Sequence, residues 1–471
     1  MIQLISDTLQ YQGVKLQNPH HITIPRGITA IIGPNGSGKS TLGRILEKGW
    51  NICTNRLKGE ADKMTIRSIE FYDIHSLAGL SVAYYQQRFE SMMNDEVPTA
   101  AQIMGQRALS PRWKELCKRL RLNDVDDKHI NYLSSGELRK LLIINLLFDL
   151  PQVLILDNPY IGLDSASRQM LDQTISEITA QGVNVIMLLC NTVDIHPATT
   201  TVIPVSNLVI GQPINRSGDI DTLRNNLVHL FDYAIDIESL PKRRTPVNPN
   251  TTTVLNLNNC KVKYGHRTIV DNVSWTVKAG ECWALSGPNG SGKSTLLSLV
   301  NADNPQGYSN DITLFDNKRG TGETIWDIKS RIGYISPEMH LYFNATSDVV
   351  SMVAQGLNNT IGDFRRVTPQ QHAEALRWLN ILHIEHLADR RFNTLSTGEQ
   401  RLALLARTLI KQPELLILDE PLHGLDMARK RSIRAIINHL TRRDRLTLIY
   451  VTHYLKEVPE CITHTKTLSR S

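Results

Sequence analysis

Nine residues, GPNGSGKST, occur twice in the chain, at 33–41 and again at 287–295. Their types and spacing fit a loop that grips phosphate. Gly33, Gly36 and Gly38, and Gly287, Gly290 and Gly292 in the second copy, let the backbone curl until its N–H groups converge on phosphate oxygens. Asn35, Thr41, Asn289 and Thr295 complete the two loops and are assigned to the same ligand. Lys39 and Lys293 would neutralise the outer phosphates of a nucleotide, and Ser40 and Ser294 would offer hydroxyls to Mg2+.

The setting of each loop fits that chemistry. An apolar run precedes it, Ile28–Ile32 and Cys282–Ser286, as a buried strand would. A helix-like run follows, 42–48 and 296–301, whose N-terminal dipole favours an anion. The two lysines lie 254 positions apart in 471 residues, so the chain is a tandem duplication with room for two domains of roughly 200 residues each.

Composition narrows the class. With 21% charged and 41% hydrophobic residues the chain reads as a soluble globular protein. A net charge of +6, spread along its length, is too mild to point to nucleic acid. The six cysteines show no CxxC and no cluster with histidine, so they read as buried free thiols in a reducing cytoplasm. The start, MIQLISDTLQ, lacks the basic and apolar parts of a signal peptide. The longest apolar stretch, 141–156, is broken by Asn145, Asp149 and Pro151 and is not a membrane span.

The remaining elements recur in the same order in both copies. In the first, 4–25 reads as short strands with turns at Gly13 and Asn18-Pro19, and 51–85 as a mixed, strand-like region. Gln86 and Gln87 stand at a strand-to-helix junction, and 99–122 looks helical. The loop LSSGE at 133–137 opens into a helix; VLILDNP is an apolar strand ending in Asp157; Asp164 closes IGLD; the strand 183–189 ends in Cys190-Asn191. The second copy has LSTGEQ at 395–400, LLILDEP at 415–421, HGLD at 423–426 and VTH at 451–453. Ser134 to Asp157 and Ser396 to Asp419 both span 23 positions, and Asp164 to Asn191 and Asp426 to His453 both span 27. Between the copies, 202–210 reads as strand and 219–237 as helix. A Pro/Asn/Thr-rich connector follows at 241–253. Lys242-Arg243-Arg244 reads as a solvated patch, with nucleic-acid contact as the alternative, and 429–431 and 442–445 read as exposed helix faces.

These parts, over nearly the whole chain, resemble the nucleotide-binding domains of ATP-binding cassette (ABC) proteins. The resemblance implies an α/β fold of two fused P-loop NTPase domains, each with a mainly parallel core sheet, an antiparallel β subdomain and a helical subdomain. The boundaries expected are 1–215 and 253–471, joined by a helix and linker at 216–252. It also implies that Tyr11 and Tyr264, 28 and 29 positions before the loop lysines, stack on adenine. Gln86 or Gln87 would touch Mg2+ and the attacking water, Asp157 and Asp419 would hold the Mg2+ shell, and LSSGE and LSTGEQ stand for the signature sequence. Cassettes pair head to tail in this family. Lys293, Ser294, Asp419, Glu420 and His453 would then share one ATP with Ser134 and Gly136. Lys39, Ser40, Asp157, Asn158 and Asn191 would share the other with Ser396 and Gly398.

The copies differ where chemistry would happen. Glu420 can polarise an attacking water and His453 can hydrogen-bond the γ-phosphate. In the first copy Asn158 and Asn191 stand at those positions. An uncharged amide is not a useful base, which implies one competent and one degenerate site unless another group stands in. In the second copy Glu338 falls where the family has its glutamine.

Residues 304–336 resemble the ModF-like tandem ATPases, also labelled photorepair or molybdenum-transport-associated proteins. The expected activity is hydrolysis of ATP to ADP and phosphate with Mg2+. Two roles compete. One is a cytoplasmic transport motor on the inner face of the membrane, with a separate permease and a molybdate-related cargo. The other is a soluble ABC protein acting on nucleic acid or ribosomes, or as a regulator. The short connector, without a long charged hairpin or an iron–sulfur cysteine cluster, favours the first.

Overall fold

The computed structural model describes residues 2–48, 57–58, 64–69, 98–120, 122, 124–130, 133, 135–160, 163, 165–231, 235–244, 249–264, 267–288, 290–337, 347–358, 367–422, 424–452 and 457–469. The chain forms two compact units. The first runs to Tyr233 and takes in Gly424–Arg429; the second holds Ala234–His423 and Lys430–Ser471.

ITAII is apolar at every position, so it is stable as a strand only where both faces are covered. In the first unit Ile28–Ile32 lies between Thr201–Ser206 and Asn184–Leu189, parallel to both. Val153–Asp157 and Ile66–Ile69 extend the parallel sheet. Alternate residues serve opposite cores. Ile28, Ala30 and Ile32 pack with Leu154, Leu156, Met187 and Leu189. Ile31 packs with Ile155, Ile186 and Leu188, and with Leu42, Ile45 and Leu46 of the helix Lys39–Lys48. Burial of each such side chain is worth about 1.5–3 kcal/mol. Beyond Thr201–Ser206 the sheet turns antiparallel at Val209–Ile210 and ends in the hairpin of Thr8–Tyr11 and Val14–Gln17.

The second unit uses the same strand order. Its parallel sheet runs Ile332–Ile335, Leu415–Asp419, Thr447–Val451, Cys282–Ser286, His464–Thr467. A separate antiparallel sheet joins Arg267–Lys278, Thr253–Tyr264, Asp311–Leu314 and Asn317–Lys318.

Each unit has a helical part, between Ile66–Ile69 and Val153–Asp157 in the first and between Ile332–Ile335 and Leu415–Asp419 in the second. In the first it comprises Ala100–Met104, Pro111–Arg119 and Ser135–Phe148, and in the second Val349–Ala354, Pro369–Ile381 and Thr397–Ile410. Capping boxes at Thr99/Gln102 and Thr368/Gln371 start two of these helices. Trp113 and Trp378 fill the helical cores at 1% exposure each. This is the α/β architecture of two P-loop NTPase domains.

Three expectations change. The helix expected over 219–237 ends at Asn226. Asp219 caps its start, but Asn225-Asn226 are weak helix formers, and Asp236 accepts Glu238 N–H at 3.1 Å to begin a separate turn, Ile237–Ser239. The Lys242-Arg243-Arg244 patch is not simply solvated. Arg244 grips both carboxylate oxygens of Glu374, at 2.7 and 2.6 Å, and donates to Ile410 O at 2.6 Å. Arg243 donates to Pro413 O at 3.0 Å, and burial lowers its pKa. These arginines fasten the connector because each meets a carboxylate or a backbone carbonyl. Arg429, expected on an exposed face, is 8% exposed, since it packs beside the buried Asp426 carboxylate. Among the described residues no helix is long and apolar enough to cross a membrane.

Candidate functional site

The two phosphate loops share the same turn, the same glycine conformation at their ends and the same lysine contacts. Ser37 N–H donates to Pro34 O and Ser291 N–H to Pro288 O, both at 3.2 Å, closing the turn. Gly38 at φ 101° and Gly292 at φ 86° then release the chain into the helices Lys39–Lys48 and Lys293–Val300. Only glycine fits there for a second reason. A Cβ at Gly38 would come 2.3 Å from Leu16, and one at Gly292 would come 2.7 Å from Ile269 O. Both neighbours belong to the antiparallel hairpin of their own unit, so the hairpin braces the loop.

Each loop lysine folds back over its loop. Lys39 Nζ donates to Gly33 O and Pro34 O at 2.9 and 2.8 Å, and Lys293 Nζ to Gly287 O and Pro288 O at 2.8 and 3.0 Å. Burial lowers the pKa of both; Asp157 opposes this at Lys39, and Asp419 and Glu420 oppose it at Lys293. Behind the loops, Ser40 Oγ donates to Asp157 Oδ2 at 2.6 Å and Ser294 Oγ to Asp419 Oδ2 at 3.1 Å. A hydroxyl and a carboxylate at the start of a helix are the hard oxygen donors that Mg2+ takes, so the residues fit that ion.

Past the strand-end aspartates the copies part. Asn158 and Glu420 occupy the same place and the same left-handed backbone, φ 46° and 51°. Each N–H is held by the neighbouring strand, Asn158 to Leu188 O at 2.9 Å and Glu420 to Val451 O at 3.0 Å. Asn158 turns its amide onto Asp157 Oδ1 at 2.8 Å. Glu420 brings a buried carboxylate, 7% exposed, beside Lys293.

Within the first unit, Gly424–Arg429 lies against the first loop. Asn35 N–H donates to Asp426 Oδ2 at 3.0 Å and its side chain to Gly424 O at 2.8 Å. Asn191 Nδ2 donates to Leu425 O at 3.3 Å. Asn191, which stands where the other copy has histidine, is thus tied to a carbonyl of that segment.

In the second signature, Gly398 opens the helix Thr397–Ile410 and Ser396 caps it. Glu399 reaches back to Ser396, accepting its N–H at 2.8 Å and its hydroxyl at 2.7 Å. In the first, Gly136 lies in the opening turn of Ser135–Phe148, and Glu137 pairs with Lys128 at 2.8 Å. Tyr11 and Tyr264 end the second strand of the first unit and the long strand Thr253–Tyr264, both half-buried. Gln86, Gln87, Ser134, Asp164, Asn289, Glu338 and His453 lie outside the described residues.

Two site-related residues escaped the sequence reading. Asn304 donates to Tyr264 Oη at 3.0 Å and to Ser298 Oγ at 3.2 Å, linking the tyrosine to the helix that follows the loop. Nothing in the sequence ties those three positions. Glu399 as the latch of Ser396 was readable, since Ser-x-x-Glu ahead of an apolar run is a capping box.

A sequence model of the family described as "ABC transporter" matches residues 18–161 and 270–423. The chain belongs to that family, as a tandem ABC protein with ATP-hydrolysing domains. It is 35% identical to the ABC transporter ATP-binding protein ModF of Escherichia coli (strain K12), over 98% of this chain and 96% of that one. It is 27% identical to the ABC transporter ATP-binding protein C323.04 of Schizosaccharomyces pombe, over 92% of this chain and 90% of that one. Among solved structures it resembles a chain of a model of ribosome-bound archaeal Pelota and ABCE1. The TM-score is 0.62 at 19% identity, covering 97% of this chain and 75% of that one, a likeness of fold alone.

Proposed function

We propose that the protein is the cytoplasmic energy-coupling ATPase of an ABC transporter, with one hydrolytic and one nucleotide-holding site. The single observation that carries the asymmetry is the shared left-handed position after the strand-end aspartate: a carboxylate in one copy, Glu420, and an amide bound to its own neighbour in the other, Asn158.

In the hydrolytic site Lys293 and the loop N–H groups hold the phosphates of ATP, and Ser294 and Asp419 would hold Mg2+. When bound, the ion supplies charge neutralisation at the phosphates. Glu420 accepts a hydrogen bond from the attacking water and turns its lone pair toward the γ-phosphorus. His453 donates to a γ-phosphate oxygen. In the holding site Lys39, Ser40 and Asp157 bind nucleotide in the same way. Asn158 has no charge to offer the water and spends its amide on Asp157, so nucleotide persists there. Tyr11 and Tyr264 stack on the two adenines.

The transport role is supported by the names of relatives of which the match covers 96% and 90%. The partner is a membrane permease in a separate chain, and the ModF resemblance points to a molybdate-related cargo. The test is a pull-down with Glu420→Gln in ATP and Mg2+, on detergent-solubilised membranes and on cytosol, with Lys293→Ala as the control. An ATP-dependent multi-span membrane protein supports the proposal. Ribosomal proteins or nucleic acid, with no membrane partner, overturn it.

A further inference from the structure

Away from the phosphate loops, the fold of the second unit brings together two thiols that lie 179 positions apart in the sequence. Cys282 opens the strand Cys282–Ser286, which runs directly into Gly287. It is 5% exposed. Cys461 lies in the turn ahead of the parallel neighbour, His464–Thr467, and is half-buried. The backbones are fixed side by side by the register Trp283↔His464 and by Thr463 N–H donating to Cys282 O at 3.0 Å. Asn438 Oδ1 holds Cys461 N–H at 3.0 Å. The two side chains lie close enough to influence each other, and both are free cysteines.

Their surroundings divide the roles. The contact with Cys282, then the Thr441 hydroxyl and the nearby Arg442 guanidinium, pull the Cys461 thiol below its ordinary pKa against the effect of burial. The same contact and burial push Cys282 up. Cys461 is the more exposed sulfur and the one a peroxide reaches first, and the thiolate is the reactive form. The buried sulfur stands within reach as its resolving partner.

We propose that Cys461 and Cys282 are a reversible disulfide-forming modification site for hydroperoxides. The Cys461 thiolate attacks a peroxide oxygen; an S–O bond forms, the O–O bond breaks, and the leaving oxygen takes a proton to become water or an alcohol. Sulfur is oxidised to the sulfenic acid and the peroxide is reduced. Cys282 then attacks the Cys461 sulfur. The S–S bond forms, the S–O bond breaks, and the hydroxide leaves as water with the Cys282 proton. A small dithiol returns both thiols and is itself oxidised. The crosslink ties the strand that feeds Gly287 to the last strand of the sheet.

The test uses the full chain and hydrogen peroxide, followed by alkylation and digestion without reductant. A peptide pair joined through residues 282 and 461, two hydrogens lighter than the thiols and released by dithiothreitol, is expected. In Cys282→Ser, dimedone should trap a sulfenic acid at Cys461. Without any variant, iodoacetamide should modify Cys461 at least about tenfold faster than Cys117 or Cys260, whose thiols burial raises. A linkage to another cysteine, oxidation of Cys461 with no crosslink, or alkylation of Cys461 no faster than Cys117 overturns the proposal.

Discussion

At the end of Val153–Asp157 and at the end of Leu415–Asp419 the backbone makes the same excursion, with Asn158 at φ 46° and Glu420 at φ 51°. The left-handed region costs an ordinary L-residue roughly 1–2 kcal/mol, and asparagine tolerates it better than glutamate. The first copy therefore has a relaxed residue and an uncharged amide at this position. The second keeps a strained one and places a carboxylate beside Lys293. Strain retained at one of two otherwise matched positions fits the catalytic role proposed for that side chain.

The comparison can be broken most directly by kinetics. Glu420→Gln should lower steady-state phosphate release by roughly 10²–10⁴-fold, the usual worth of a positioned base. Lys293→Ala should abolish turnover, whereas Lys39→Ala should stay within about tenfold of the parent protein. Equal losses from the two lysine variants would end the asymmetric reading. A smaller, sharper test reads stability. Exchanging the strained residue, Glu420→Asn, should raise the melting temperature of an inactive protein, and Asn158→Glu should lower it. The expected difference is about 1 kcal/mol, or roughly 2–4 °C for a domain of this size, by calorimetry. The smallest effect is expected far from both sites. Arg244→Ala removes the grip on Glu374 and Ile410 O, costing about 1 kcal/mol in denaturant unfolding, with ATP turnover unchanged.

Much of the fold was legible because local signals agreed. The strand Ile28–Ile32 and the strand Cys282–Ser286 were readable as apolar runs ending in glycine loops. The difference between the two strand ends was readable as a change of residue type, Glu420 against Asn158. The helix expected over 219–237 ends at Asn226 because two asparagines close it and Asp236 caps a separate turn at Ile237–Ser239. The basic connector was misjudged because charge alone does not say whether a carboxylate waits nearby; Glu374 is 130 positions from Arg244.

Sequence by itself determined the tandem repeat, the P-loop class and the residues that would meet phosphate, since those depend on glycine, lysine and hydroxyl types at fixed short spacings. Only the tertiary structure decided what long-range neighbours do with the same residues. It gave Tyr264 its partner Asn304 and set Cys282 beside Cys461. Those outcomes rest on parallel strand register and packing between segments far apart in the chain, and no local spacing encodes them.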